Sequence, residues 1–94
     1  MAVLAVTRLR VPEDGVPAFT AAAGVLLTAL AARPGYRDGQ LGRCADDPVL
    51  WALVTRWDGV GAYRRALSAA EVKMAGAPVW LHALDEPGAY LPPG

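Results

Sequence analysis

Two tryptophans, a histidine, a tyrosine and a pair of arginines are the side chains of this 94-residue chain best suited to chemistry. Trp51 and Trp80 offer flat apolar rings on which an aromatic molecule could stack, or they belong to the core or to an interface. His82 is the only imidazole present, the side chain type able to take up a proton near neutral pH. It is the candidate catalytic base, set against a structural, hydrogen-bonded role. Arg56 and Arg43 could hold a phenolate, or pair with carboxylates such as Asp46 and Asp47. Tyr63 could point its hydroxyl into the same pocket, or pack within its helix. Thr55 shares a strand face with Trp51, which places it on the same candidate pocket wall.

Other chemistries are excluded by what is missing. One cysteine and one histidine cannot form the usual zinc ligand sets, so no metal is expected. Asp46-Asp47 and Asp85-Glu86 read as solvated turn carboxylates rather than a hard-cation site. Gly59-Val60-Gly61 follows a strand and opens a helix, but Arg64 stands where a dinucleotide fingerprint needs its third glycine. Cys44 reads as a small buried residue without a disulfide partner, which fits a reducing cytoplasm. Nine basic and nine acidic residues balance, and the arginines are scattered, so a nucleic-acid surface is not expected. Val16 to Ala32 carries no charge, yet it falls short of the roughly 20 residues a span needs and is interrupted by Pro17, Thr20, Gly24 and Thr28. No membrane association is expected.

These side chains must be placed by a short succession of elements. Ala2–Leu9 reads as a strand, and Val11-Pro12-Glu13-Asp14-Gly15 as a turn with helix-start chemistry. Val16, Phe19, Ala23, Leu26, Leu27 and Leu30 form one helical stripe. Arg33-Pro34-Gly35 ends that helix, because a residue before proline resists the helical region and glycine accepts a left-handed exit. Tyr36–Cys44 is a polar edge strand with a bulge, and the Asp46-Asp47-Pro48 turn leads to a strong strand, Val49–Trp57. Asp58 is the expected cap of a second helix carrying Val60, Tyr63 and Leu67 inward. Ser68 and Glu71 match a capping box that opens a further helical turn, which Pro78 ends. Val79–Asp85 is the expected fourth strand, with His82 on the face of Trp80 and Leu84, and 87–94 is a proline-rich tail.

The order is β-α-β-β-α-β, a ferredoxin-like α+β fold with a four-stranded antiparallel sheet in one domain over residues 1–94. The core spans about residues 3–86. Strand Val49–Trp57 is apolar on both faces, whereas a solvated antiparallel sheet alternates. With 54% hydrophobic residues in so short a chain, a homodimer paired through the open sheet face, a dimeric α+β barrel, is the expected cover.

With this order, three segments resemble the antibiotic biosynthesis monooxygenase family: the strand ending in Trp57-Asp58, Ala62-Tyr63 in the next helix, and the Arg33-Pro34-Gly35-Tyr36 link. The resemblance covers roughly Val3 to Glu86. It implies a dimeric ferredoxin-like barrel with a pocket in each subunit between sheet and helices. Some relatives oxidise quinols or polycyclic polyketides with dioxygen and no cofactor, and others degrade haem. The haem branch places a tryptophan where this chain has Ala66, and its histidine near Gly76, so haem degradation is disfavoured. Many quinol-oxidising relatives carry a glutamate at the position of Thr55 and histidines around Ala66 and Glu71. The resemblance implies a cofactor-independent monooxygenase acting on a small aromatic quinol- or polyketide-like molecule. The alternative is a non-catalytic dimeric binding or accessory protein of a biosynthetic pathway.

Overall fold

Alternating burial sets the sheet of this protein. A computed structural model describes residues 2–94. In it β1 (Val3–Arg10) buries Val3, Ala5 and Leu9, while β3 (Leu50–Trp57) buries Trp51, Leu53, Thr55 and Trp57. The two strands pair antiparallel from Val3 opposite Trp57 to Arg10 opposite Leu50. β2 (Tyr36–Arg43) adds on the outer side of β3, with a bulge between Tyr36 and Asp38, and β4 (Ala89–Tyr90) pairs with β1. The order β2-β3-β1-β4 is the ferredoxin-like α+β arrangement.

Helix α1 (Val16–Ala31) turns Phe19, Ala23, Leu26 and Leu30 into the core at three- and four-residue spacing. The segment Glu13–Ala31 is long and apolar enough to cross a membrane by length and composition, and its buried stripe packs into this core. Gly35 leaves the helix with φ of +89°, and a Cβ there would run into Ala62. Helix α2 (Val60–Ser68) buries Ala62 and Ala66 and flanks them with half-buried Tyr63 and Leu67.

Three local expectations are corrected. Asp58 does not cap α2; its carboxylate accepts from Arg37 Nε at 2.7 Å, and Gly59 takes the cap position. Ser68 and Glu71 form no capping box, because the Ser68 hydroxyl donates back to the Arg64 carbonyl and Ala69 precedes the next helix. The third correction is the largest. Val79–Asp85 is not the fourth strand, since helix α3 (Ala70–Trp80) runs through Pro78. Pro78 lacks the N–H that would bond the Met74 carbonyl, but both residues are exposed, so water can satisfy that carbonyl. Val72, Gly76 and Val79 are buried at helical spacing, which holds the last turn against the core. The sheet edge is instead filled by Ala89–Tyr90, from the segment expected to be a tail.

Trp57 is completely buried, its indole N–H donates to Thr55 Oγ1 at 2.8 Å, and its ring meets Tyr36 edge-on at 5.3 Å. Trp57→Ala is expected to lower unfolding free energy by about 3–5 kcal/mol in urea titrations, as for other large-to-small core changes.

Candidate functional site

The sheet edge beside β1 is interrupted, and the interruption opens a cavity. His82 O accepts from Arg10 N and Leu84 N donates to Arg8 O, so the chain after α3 begins as a neighbour of β1. Val6 N then donates to Gly88 O at 2.7 Å. Two steps along β1, from Arg8 to Val6, are thus matched by four along the returning segment, from Leu84 to Gly88. Asp85, Glu86 and Pro87 therefore face the single residue Thr7 and loop out, as in a β-bulge. Thr7 sits opposite that gap, on the inner face of the sheet.

The resulting cavity, of about 460 Å³, lies between β1, α2, α3 and the looped segment. Thr7, Tyr63, Leu67, Lys73, Trp80 and Glu86 are among its lining residues. Its size falls in the range of about 300–1,000 Å³ typical of small-molecule sites. Tyr63 is held from behind by Trp57, whose ring centroid is 5.8 Å away. Burial pushes the Tyr63 phenol above its ordinary value of 10.0, and a hydrogen bond from Thr7 pulls it partly back. A phenol in that state is neutral near pH 7 and can donate its proton in a hydrogen bond. Gly76 seats Trp80: a Cβ there would collide with the indole, which lies back over the helix one turn towards its N-terminus. On the cavity's exposed side, both oxygens of Glu86 accept from Arg8. That hydrogen bond holds the Glu86 carboxyl below the usual carboxylate range.

Of the side chains singled out in the sequence, the fold brings Tyr63 and Trp80 together on this cavity. The other five lie elsewhere. Trp51 packs edge-on against Phe19 at 5.5 Å, with the Arg43 guanidinium over its ring. Thr55 is buried beneath the sheet as the acceptor for Trp57. Arg56 faces outward and pairs with Asp38, not with Asp46 or Asp47. His82 follows α3 in a turn rather than a strand, and its ring meets Phe19 at 5.6 Å, off the cavity lining. Cys44 is half-buried. Thr7, Lys73 and Glu86 were not singled out as pocket residues. Their only signal was position: alternation puts Thr7 on the inner face of β1, and Lys73 lies seven residues, two helical turns, before Trp80. No group of three side chains able to hold a metal occurs among the described residues.

The antibiotic biosynthesis monooxygenase family matches residues 2–77, and the chain belongs to that family. Its fold is similar to that of SnoaB, a cofactor-independent oxygenase from Streptomyces nogalater (TM-score 0.86, 20% identity, covering 99% of this chain and 94% of SnoaB). It is also similar to a conserved protein from Methanosarcina mazei (TM-score 0.81, 17% identity, 96% and 91% covered). Rv0793 from Mycobacterium tuberculosis shares the fold as well (TM-score 0.78, 21% identity, 98% and 95% covered). Comparison with curated protein sequences finds no match.

The raised Tyr63 value carries a testable sign. The folded protein keeps this proton at pH values where the unfolded chain has lost it, so the contribution is whole below pH 10.0 and is lost as pH rises beyond it. Tyr36 is raised by burial in the same direction. Unfolding titrations between pH 9 and about 11 should therefore show stability falling, and Tyr63→Phe should flatten that slope without abolishing it.

Proposed function

We propose that this protein oxidises a small electron-rich aromatic compound, of the quinol or polyketide type, with dioxygen and without a bound cofactor. The observation that carries the reading is the cavity between sheet and helices, with the Tyr63 hydroxyl and Trp80 indole on its wall, in a chain of this family. SnoaB, similar in fold, is described as a cofactor-independent oxygenase, which supports the same chemistry here.

The site's work begins with stacking. Trp80 gives a flat apolar surface for a ring, and Leu67, Ala83 and Leu84 exclude water from it. A phenol or an activated methylene then loses a proton, leaving an enolate or phenolate oxygen. The Tyr63 O–H donates to that oxygen, which favours the anion inside the cavity over the same anion in bulk water. Both oxygens of Glu86 are engaged by Arg8, so the proton passes to hydroxide or a buffer base arriving from the exposed side. The substrate anion reduces dioxygen to form a C–O bond and a hydroperoxide. Loss of water from the hydroperoxide leaves a carbonyl: one CH2 and one O2 give one C=O and one H2O, with no outside reductant.

A second copy of the chain belongs to this proposal. The outer face of the sheet carries Val6 opposite Val54, with Leu4, Leu50 and Ala52 around them, half-buried or exposed in the single chain. Apolar surface of this kind in the centre of a sheet face favours pairing with its equal. Static light scattering at micromolar concentration should give about twice the 9.8 kDa chain mass, and a stable monomer would refute the paired arrangement.

The oxidation itself is tested by oxygen uptake from metal-stripped protein offered anthrone-type and hydroquinone substrates. Protein-dependent uptake is expected, falling about a hundredfold in Tyr63→Phe, as when one oxyanion donor is removed. His82→Ala should leave uptake intact, because its ring packs on Phe19 outside the cavity lining. Absence of uptake across the panel would assign the cavity to ligand binding alone.

A further inference from the structure

Lys73 is the only lysine in the chain, and it lines the cavity on its exposed side. The ion pairs Arg8–Glu86, Arg10–Asp47, Arg37–Asp58 and Arg56–Asp38 leave it out. Glu86 is the one carboxylate among the lining residues, and both its oxygens are occupied by Arg8. The formal charge left facing the cavity is therefore that of the Lys73 ammonium.

Two donors remain free there, beside the Thr7 hydroxyl that hydrogen-bonds Tyr63. Tyr63 has its O–H and Lys73 its ammonium, while the Trp80 indole nitrogen is turned onto Gly76. Lys73, Gly76 and Trp80 follow one another at three- and four-residue spacing on α3, so they share a helix face. The missing side chain at Gly76 lets the Trp80 indole lie back towards the turn of Lys73. One uncompensated positive charge on the lining favours an anion over a neutral molecule of the same shape. The two ends of the lining differ in solvation. Tyr63 is half-buried against the sheet, whereas Lys73 is exposed, and a permanent charge is cheapest to hold where water still reaches it.

We infer that the cavity takes a planar aromatic compound bearing a carboxylate, with Lys73 holding the carboxylate at the rim and the ring lying along Trp80. The position of the reacting oxygen beside Tyr63 rests on the oxidation reading above; the selection for an anionic ring compound does not. The test is equilibrium binding of an anthracenecarboxylate and the matching anthracenecarboxamide, followed by anisotropy of anthracene emission. Wild-type protein should bind the carboxylate about five-fold more tightly, the scale of a solvated ion pair, and less so at high salt. Lys73→Gln should remove the preference while leaving carboxamide affinity unchanged, and Lys73→Arg should retain it. Equal affinities in the wild type, binding of neither probe, or a preference that survives Lys73→Gln would overturn the inference. Because binding is read without turnover, a Lys73-dependent preference in a protein that consumes no oxygen would sink the oxidation reading and leave this one standing.

Discussion

Burying the indole N–H of Trp57 is costly without an acceptor, and Thr55, two residues away on the same strand face, supplies one at 2.8 Å. This bond lets the largest side chain of the inner sheet face be fully buried, and three elements are placed by it. Tyr36 closes on its edge from β2, Tyr63 tilts against it from α2, and Val3 lies opposite it on β1. Two details of β2 and its approach accommodate this cluster. Gly35 takes a left-handed conformation where any side chain would strike Ala62, and Gly39 lacks the Cβ that would meet the Tyr36 hydroxyl and Thr55. Tyr63 thus reaches the cavity with its ring fixed from behind and its hydroxyl free to act. An apolar residue at position 55 would keep the packing but strand the indole N–H, a buried loss of about 1–3 kcal/mol.

The cavity exists because the fourth strand is late and short. Had the chain paired with β1 directly from Ala83 onward, the edge beside Thr7 would have been filled by backbone. Instead α3 uses Val79 and Trp80 as its last turn, and the returning segment loops out at Asp85, Glu86 and Pro87 before rejoining at Gly88. The loop needs an anchor, and Arg8 provides one by gripping Glu86 with two of its nitrogens. A two-residue edge strand also presents little unpaired backbone to other chains.

Strand β3 was legible in the sequence because a short run apolar on both faces stands between turn signals, and α1 because its stripe repeats without interruption. The Arg33-Pro34-Gly35 exit was legible for a similar reason: only one backbone path suits that triplet. The fourth strand was not, because Val79–Asp85 is short, apolar and preceded by proline, a pattern shared by a strand and by the end of a buried helix. Only tertiary packing decides between them, and here burial at Val72, Gly76 and Val79 favours the helix. That one difference relocates His82 from a strand face to a turn against Phe19, and so removes it from the wall it was expected to share with Trp80. Trp80 reaches a cavity all the same, from a helix, through the space left by Gly76. Asp58 and Ser68 failed as caps because stronger or nearer partners, Arg37 and the Arg64 carbonyl, were unknowable from local sequence.

The two faces of the sheet are joined at one residue pair. Arg8 points outward from β1, yet its carboxylate partner Glu86 lines the inner cavity, so the pair wraps the interrupted edge and belongs to both sides. In a single chain the pair is solvated, with side-chain exposures of 47% and 36%, and such pairs contribute little to stability. A second copy laid over Val6, Ala52 and Val54 would exclude water beside Arg8, and an ion pair is stronger where water is excluded. Tightening that grip would hold Glu86, and with it the loop from Asp85 to Pro87, more firmly against the cavity. It would also keep the Glu86 charge neutralised, so that the ammonium of Lys73 remains the charge a ligand meets. Covering the outer face and defining the inner site are, on this geometry, consequences of the same arginine.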